Sequence, residues 1–175
     1  MREDLANHAH EWTAPGFQAL AVYRLGRFAH GRRGLRAKVL RRVHRVLYVF
    51  VRNFYGIELP PGAVIGRRLR VEHQHGVVVN DKAVFGDDCT LGHNVTVGIG
   101  FPGKQSVPRI GDRVVLGTGA VVIGRVTIGD DVHIGPNALV MSDVPSGAHV
   151  VERPARVLQL QRSDDTAAAT ATADR

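Results

Sequence analysis

The chain contains a single cysteine, Cys89, one tryptophan, and aromatics at only 6% of its 175 residues. One cysteine excludes an intramolecular disulfide, which fits a reducing compartment. Long apolar runs are missing as well. The longest, Val46 to Val51, is far too short to span a bilayer, and Met1-Arg2-Glu3-Asp4 opens without the apolar stretch of an export signal. These absences lead us to expect a soluble, cytoplasmic protein. What the chain does have is 20 glycines, beside an ordinary 44% hydrophobic content and a net charge of +7. That mixture indicates one domain with many tight backbone corners. The charge favours acidic partners, a phosphorylated small molecule as readily as a nucleic acid, and does not choose between them.

Two helical patterns fill residues 1–56. Phe17, Leu20, Ala21, Leu25 and Phe28 recur at helical spacing and end near Gly31; Leu40, Val43, Leu47, Phe50 and Phe54 do the same before Gly56. Each set reads as an apolar stripe to be buried. The second helix also carries Arg36, Lys38, Arg41, Arg42, Arg45 and Arg52. A basic helix over 35–54 can lie on a membrane surface, but the plainer reading is a solvated outer face on a helix packed against its own domain.

From Ile65 onward the period changes. Ile110, Leu116, Val122, Ile128, Ile134 and Val140 fall every six residues, and Val79, Phe85, Leu91 and Val97 keep the same step. Six residues is the period of a parallel β-helix. Four residues after each of them except Val97 sits a small or β-branched side chain, among them Ala83, Cys89, Val95, Val114, Ala120 and Val126, so the interior is narrow. Glycine follows the aliphatic residue at Gly86, Gly92, Gly111, Gly117, Gly129 and Gly135, and polar pairs such as Asp87-Asp88 and Asp130-Asp131 follow at corners. An amphipathic helix would show a 3.6-residue period, and a β-sandwich would show longer alternating strands. The expected fold is therefore mainly β, a parallel β-helix over 57–161 with two N-terminal α-helices as a cap. Residues 162–175 lack large apolar groups and read as a disordered tail.

The step breaks between Val97 and Ile110, so a loop over 98–109 should leave the wall, where function tends to concentrate. Near the start of the wall stands Glu72-His73-Gln74-His75-Gly76. An imidazole beside a carboxylate is the pair a general base needs, although adjacent Glu and His also occur as ordinary surface residues. His93 lies about one coil further on and can assist His73. His73, His75 and His93 are the one histidine set that suggests a zinc enzyme on the same scaffold. Gly98-Ile99-Gly100-Phe101-Pro102-Gly103 fits a dinucleotide-binding spacing, but the proline and the lack of a following helix argue against that.

The arrangement resembles the serine O-acetyltransferase family of hexapeptide-repeat transferases. The residues that carry the resemblance run from Gly56-Ile57-Glu58-Leu59 and Pro61-Gly62-Ala63-Val64-Ile65-Gly66 through Glu72-His73 and Gly76-Val77-Val78-Val79. They continue with Ala83-Val84-Phe85-Gly86-Asp87-Asp88 to Asp143-Val144-Pro145 and Pro154-Ala155-Arg156. The resemblance implies a left-handed β-helix and a homotrimer, single or as two stacked trimers, acetyl-CoA lying in the groove between subunits. It further implies direct acetyl transfer to a small-molecule hydroxyl, with no metal and no nucleic acid. On this mapping His73 is the base, Glu72 its orienting carboxylate, and the backbone around Gly98 and Gly100 the oxyanion donor. Gly117, Thr118, Gly119 and Ala120 would accommodate the pantetheine arm, and Lys104, Arg109, Arg153 and Arg156 would meet phosphates. Two departures stand out. Glu72 replaces the family's usual aspartate, and Gln105-Ser106-Val107-Pro108-Arg109-Ile110 replaces Asp-Arg-His-Pro-Lys-Ile, removing a second His and an Arg associated with the amino-acid substrate. Serine is the nearest acceptor, with a sugar, another small alcohol or an amine as alternatives, and a non-catalytic scaffold as the remaining reading.

Overall fold

A computed structural model describes residues 1–100 and 107–153. Three α-helices lead the chain: α1 (Arg2–Asn7), α2 (Pro15–His30) and α3 (Leu35–Phe50), the last running into a π-helical turn, Val51–Tyr55, that ends at Gly56 in the left-handed conformation. Pro15 opens α2 at the first turn, where its missing N–H has no helical partner to lose. Fourteen strands of two or three residues follow among the described residues, numbered β1 to β14 along the chain. They form three parallel sheets. The first orders β1 (Ile57–Glu58), β4 (Val77–Val79), β7 (Thr96–Gly98), β10 (Val121–Ile123) and β13 (Leu139–Val140). The second orders β2 (Val64–Ile65), β5 (Val84–Phe85), β8 (Arg109–Ile110) and β11 (Thr127–Ile128). The third orders β3 (Arg70–Val71), β6 (Thr90–Leu91), β9 (Val115–Leu116), β12 (His133–Ile134) and β14 (His149–Val150). From β1 to β13 each strand pairs with the one three further along, as a left-handed β-helix of triangular section requires, and β14 closes the third sheet on β12.

The six-residue step sets the core. Phe85, Leu91, Val97, Ile110, Leu116, Val122, Ile128, Ile134 and Val140 all point inward and are buried, with Ala83, Cys89, Val95, Val114, Ala120, Val126 and Val132 buried between them. A buried aliphatic side chain contributes about 1.5–3 kcal/mol, so stacked coils supply most of the fold's stabilisation. Cys89 shares this interior, and burial pushes its thiol up to about 11, which makes it an unreactive packing residue. One corner column is held by carboxylates: Asp87 accepts from the Arg67 N–H at 2.7 Å, Asp112 from the Asp87 N–H and Asp130 from the Asp112 N–H, both at 2.8 Å. Each side chain thus satisfies the backbone donor of the coil before it. Coil length reports the insertion. Thr127 pairs with Arg109, eighteen residues back, whereas Arg109 pairs with Val84, twenty-five back; seven residues leave the wall, and part of that loop lies outside the described residues. Lys104, Arg156 and the tail at 162–175 lie outside them too.

The helices close the open edge of the first coil. The edge strand β2 turns its Ile65 N–H and the neighbouring Ala63 carbonyl away from β5, and the buried Tyr23 hydroxyl serves both, accepting from the Ile65 N–H at 3.0 Å and donating to the Ala63 carbonyl at 2.8 Å. Arg24 donates to the Ile65 carbonyl, 2.8 Å, and to that of Gly66. Asp4, 3% exposed, accepts from the Arg68 N–H at 3.1 Å and pairs with Arg24 at 3.3 Å. An exposed strand edge is a site of unwanted pairing, and these side chains remove it.

The apolar stripes of the two long helices are not the ones the sequence suggests. In α2, Leu20 is buried as expected, but Gly16, Ala19, Val22, Tyr23, Gly26 and Ala29 make up the rest of the buried face, while Phe28 is 52% exposed. In α3 the buried face is Ala37 and His44, continued by Val51, whereas Val43, Leu47, Phe50 and Phe54 are exposed. Close approach decides this. A Cβ on Gly26 would meet the His44 ring at 2.4 Å, so α3 comes in on its small residues and leaves its larger apolar arc outside.

Candidate active site

Four corners joining the third sheet to the first stack into a column: Glu72–Gly76, Gly92–Asn94, Gly117–Gly119 and Gly135–Asn137. Their last residues take left-handed backbone, Gly76 at φ +73°, Asn94 at +56°, Gly119 at +73° and Asn137 at +57°. Only glycine and short polar residues enter that region readily, which is why these positions read Gly or Asn. A ladder ties the corners together. His75 N–H donates to the Tyr55 carbonyl at 2.7 Å, Asn94 N–H to the His75 carbonyl at 3.0 Å, Gly119 N–H to the His93 carbonyl at 2.9 Å, and Asn137 N–H to the Thr118 carbonyl at 2.8 Å.

The first corner is the odd one. Val71 pairs with Leu91 and Val78 with Thr96, so the chain spends seven steps where the next coil spends five. The two additional residues swing the backbone out, and His73 is exposed at the bulge. Its ring meets that of the half-buried His93 edge-on, centroids 5.7 Å apart and planes at 67°. His93 Nδ1 in turn lies 3.4 Å from Thr118 Oγ1. His73, His93 and Thr118 therefore follow one another up the column, with Gly117, Gly119 and the buried Ala120 beside them.

Glu72 sits beside a cation. Its carboxylate lies 3.8 Å from Arg70 Nε, and no hydrogen bond joins it to the imidazole among the described residues. Arg70 and Glu72 flank the inward Val71 and share the outer face, which brings the two side chains together. The other carboxylate at the base of the column is Glu58, half-buried on β1, whose Oε1 accepts from the Tyr48 hydroxyl at 3.3 Å. Burial and this carboxylate push Tyr48 up to about 12. Nothing in the local pattern marks Glu58 out, since a lone acid in a two-residue strand looks like any outward side chain.

The remaining candidates fall elsewhere. Gly98 ends β7 opposite Ile123, and its carbonyl accepts from the Gly124 N–H at 3.1 Å; Gly100 approaches Gly124 closely, a Cβ there meeting Gly124 Cα at 3.1 Å. Both stand at the far end of the first sheet from the column, where the loop departs. Arg109 is exposed on the second sheet and Arg153 exposed beyond β14. Among the described residues no three His, Cys, Asp or Glu side chains are grouped to hold a metal ion, and no helix is long and apolar enough to cross a membrane.

Comparison with known proteins agrees with this architecture. Residues 108–141 match the family described as bacterial transferase hexapeptide, six repeats. The chain is 43% identical over 150 residues to the serine acetyltransferase of Helicobacter pylori strain J99, covering 85% of this chain and 84% of that protein. It is 41% identical over 145 residues to the serine acetyltransferase of Mycobacterium tuberculosis, covering 82% of this chain but 61% of that one. Among solved structures, isoform 3 of the Entamoeba histolytica enzyme, in complex with cysteine, superposes with a TM-score of 0.73 at 25% identity, over 91% of this chain and 60% of that chain. The soybean apoenzyme superposes with a TM-score of 0.72 at 28% identity, over 89% and 66%.

Proposed function

Since the chain belongs to the serine acetyltransferase family, we propose that it transfers the acetyl group of acetyl-CoA to the hydroxyl of serine, with His73 as general base. The carrying observation is the column itself, an imidazole bulged from the wall at the foot of stacked glycine-rich corners. His73 takes the hydroxyl proton as the oxygen attacks the thioester carbonyl. The tetrahedral intermediate then collapses, the C–S bond breaks, and the thiolate recovers the proton from the imidazolium, giving O-acetylserine and coenzyme A. His93 stands against His73 and orients its ring. Gly117, Thr118, Gly119 and Ala120 receive the pantetheine arm, while Gly98 and Gly100 with Lys104, Arg109, Arg153 and Arg156 complete the oxyanion and phosphate contacts.

The residues assigned to one reaction sit on two different edges of the prism, and His73 is exposed in the protomer. A homotrimer resolves both facts, because a threefold arrangement sets the His73 column of one protomer against the loop edge of its neighbour and closes a groove between them.

His73→Ala should leave the fold intact, since the exposed ring has only His93 to lose, and should lower kcat by about 10²–10⁴, the size of a general-base contribution. Thiol release from acetyl-CoA, measured with L-serine and with a panel of amino alcohols and sugars, reads both the rate and the acceptor. Activity within a few fold of wild type in the variant removes His73 from the mechanism, and a preferred acceptor lacking the amino-acid group removes serine. Glu72→Gln should cost less than about tenfold, because its carboxylate is engaged with Arg70.

A further inference from the structure

The chain's positive charge is not spread along it. Between Glu11 and Glu58 there is no acidic residue and there are ten cationic ones, Arg24, Arg27, Arg32, Arg33, Arg36, Lys38, Arg41, Arg42, Arg45 and Arg52, more than the whole net charge of +7. On the β-helix, Arg67, Arg68, Arg70 and Arg113 are matched to carboxylates at 2.5–3.8 Å. The hairpin's charges are treated differently. Lys38, Arg41, Arg42 and Arg45 recur at three- and four-residue spacing on one flank of α3, where like charges repel, and among the described residues none of the four is within ion-pair distance of a carboxylate.

These four residues, with His30 and Tyr48, line a cleft of about 520 Å³ between α2, α3 and the Pro61 corner. Arg41 is fixed in place, its Nη1 donating to the carbonyls of Ala29 at 3.3 Å and Arg32 at 3.1 Å. The buried His44 ring belongs to the same wall, its Nε2 turned onto Gly26 without a hydrogen-bond partner. Among the described residues no carboxylate belongs to the lining. We propose that this cleft is a second binding site, separate from the transferase column, for a soluble anion carrying two or more phosphate charges, such as a nucleoside di- or triphosphate. Three arginines and a lysine lining one cleft suit phosphate oxygens, which accept paired N–H donors, better than a single carboxylate. The volume suits a nucleotide. The site does not depend on the serine acetyltransferase reading, since it uses none of the residues assigned there.

The test is calorimetric titration of the full chain with inorganic pyrophosphate and with ATP, in the presence of saturating coenzyme A so that the transferase site is filled. Saturable binding is expected, and Arg42→Glu with Arg45→Glu should weaken it at least about tenfold, the loss of one charge-assisted hydrogen bond. The same double variant should retain the acetyl-CoA KM of the wild type, which shows that it folds and that the two sites are distinct. Three results overturn the proposal: neither anion binds, the double variant binds both as well as wild type, or only vesicles of phosphatidylglycerol in phosphatidylcholine are bound while free pyrophosphate and ATP are not. The last would assign the cleft to a lipid headgroup, with the exposed Val43, Val46 and Phe50 of α3 and Phe54 of the turn after it facing the bilayer.

Discussion

Tyr23→Phe removes one oxygen atom and tests how the helical hairpin is joined to the β-helix. The hydroxyl is buried, accepts from the Ile65 N–H at 3.0 Å and donates to the Ala63 carbonyl at 2.8 Å. β2 is the first strand of its sheet, and its ladder donors, Val64 N–H and Gly66 N–H, already reach β5 partners; Ile65 N–H faces the helices. Phenylalanine would leave a buried donor and a buried acceptor unpaired, each costing about 1–3 kcal/mol. Against this, the hydroxyl's own desolvation is recovered, so the net loss should be about 2–4 kcal/mol. Equilibrium urea unfolding followed by far-ultraviolet circular dichroism, at one fixed protein concentration, gives the difference from the midpoint shift at constant m. Tyr23→Leu, which also removes ring packing, should lose more. A Tyr23→Phe change below about 1 kcal/mol would refute the reasoning, because it would mean that the edge of the first coil finds other partners.

Two further perturbations act on backbone and charge. Gly119→Ala should destabilise by about 1–2 kcal/mol from the left-handed backbone alone, and more because the new methyl would lie 2.2 Å from Asn137 Oδ1; a midpoint unchanged in urea would show that the corner column yields. Asp4→Asn should cost stability at neutral pH and little at acid pH. Burial pushes the Asp4 carboxyl up, but hydrogen bonding and charge from Arg24 and the N-terminal amine outweigh it and hold the pKa below the usual value. A depressed folded-state pKa stabilises above the unfolded value and loses that contribution as pH falls through the folded one. The wild-type and Asn midpoints should therefore converge below about pH 4, and a gap that stays constant with pH would exclude the linkage.

The β-helix was legible because its signal is redundant. Six positions from Ile110 to Val140 repeat without interruption, and each repeat is buried by its neighbours, so no single tertiary contact had to be guessed. The one-coil spacing of His73 and His93 was legible for the same reason, and their rings do meet. The helical faces were not. α3 has a wide apolar arc opposite its basic flank, yet it packs on neither centre: the choice of face was made by Gly26 admitting His44, a pairing across two helices that no periodicity encodes. Glu72 illustrates a third limit. Adjacency in sequence suggests a dyad with His73, and it gives no sign of the contact the carboxylate makes 3.8 Å from Arg70 Nε across the inward Val71.

The coil count bears on how many chains build one site. His73 is raised from the wall at one corner of the prism by two added residues, and seven more residues leave the wall at the next corner, after Gly98. A strand of the first sheet separates the two insertions, so within one protomer they face different directions. If each catalytic groove takes His73 from one protomer and the loop edge from its neighbour, two inactive variants should complement. Gly98→Asp places a carboxylate where an oxyanion would form, in a position where a Cβ meets nothing nearer than 4.0 Å and folding is spared. Unfolded together and refolded at equal concentration, His73→Ala and Gly98→Asp chains assemble at random; a groove then has an even chance of an intact His73 and an independent even chance of an intact Gly98. Recovered activity should approach about one quarter of wild type. Were both edges used within a single protomer, every chain would carry one lesion and mixing would restore nothing, so the assay decides between an intersubunit groove and a site that each chain completes alone.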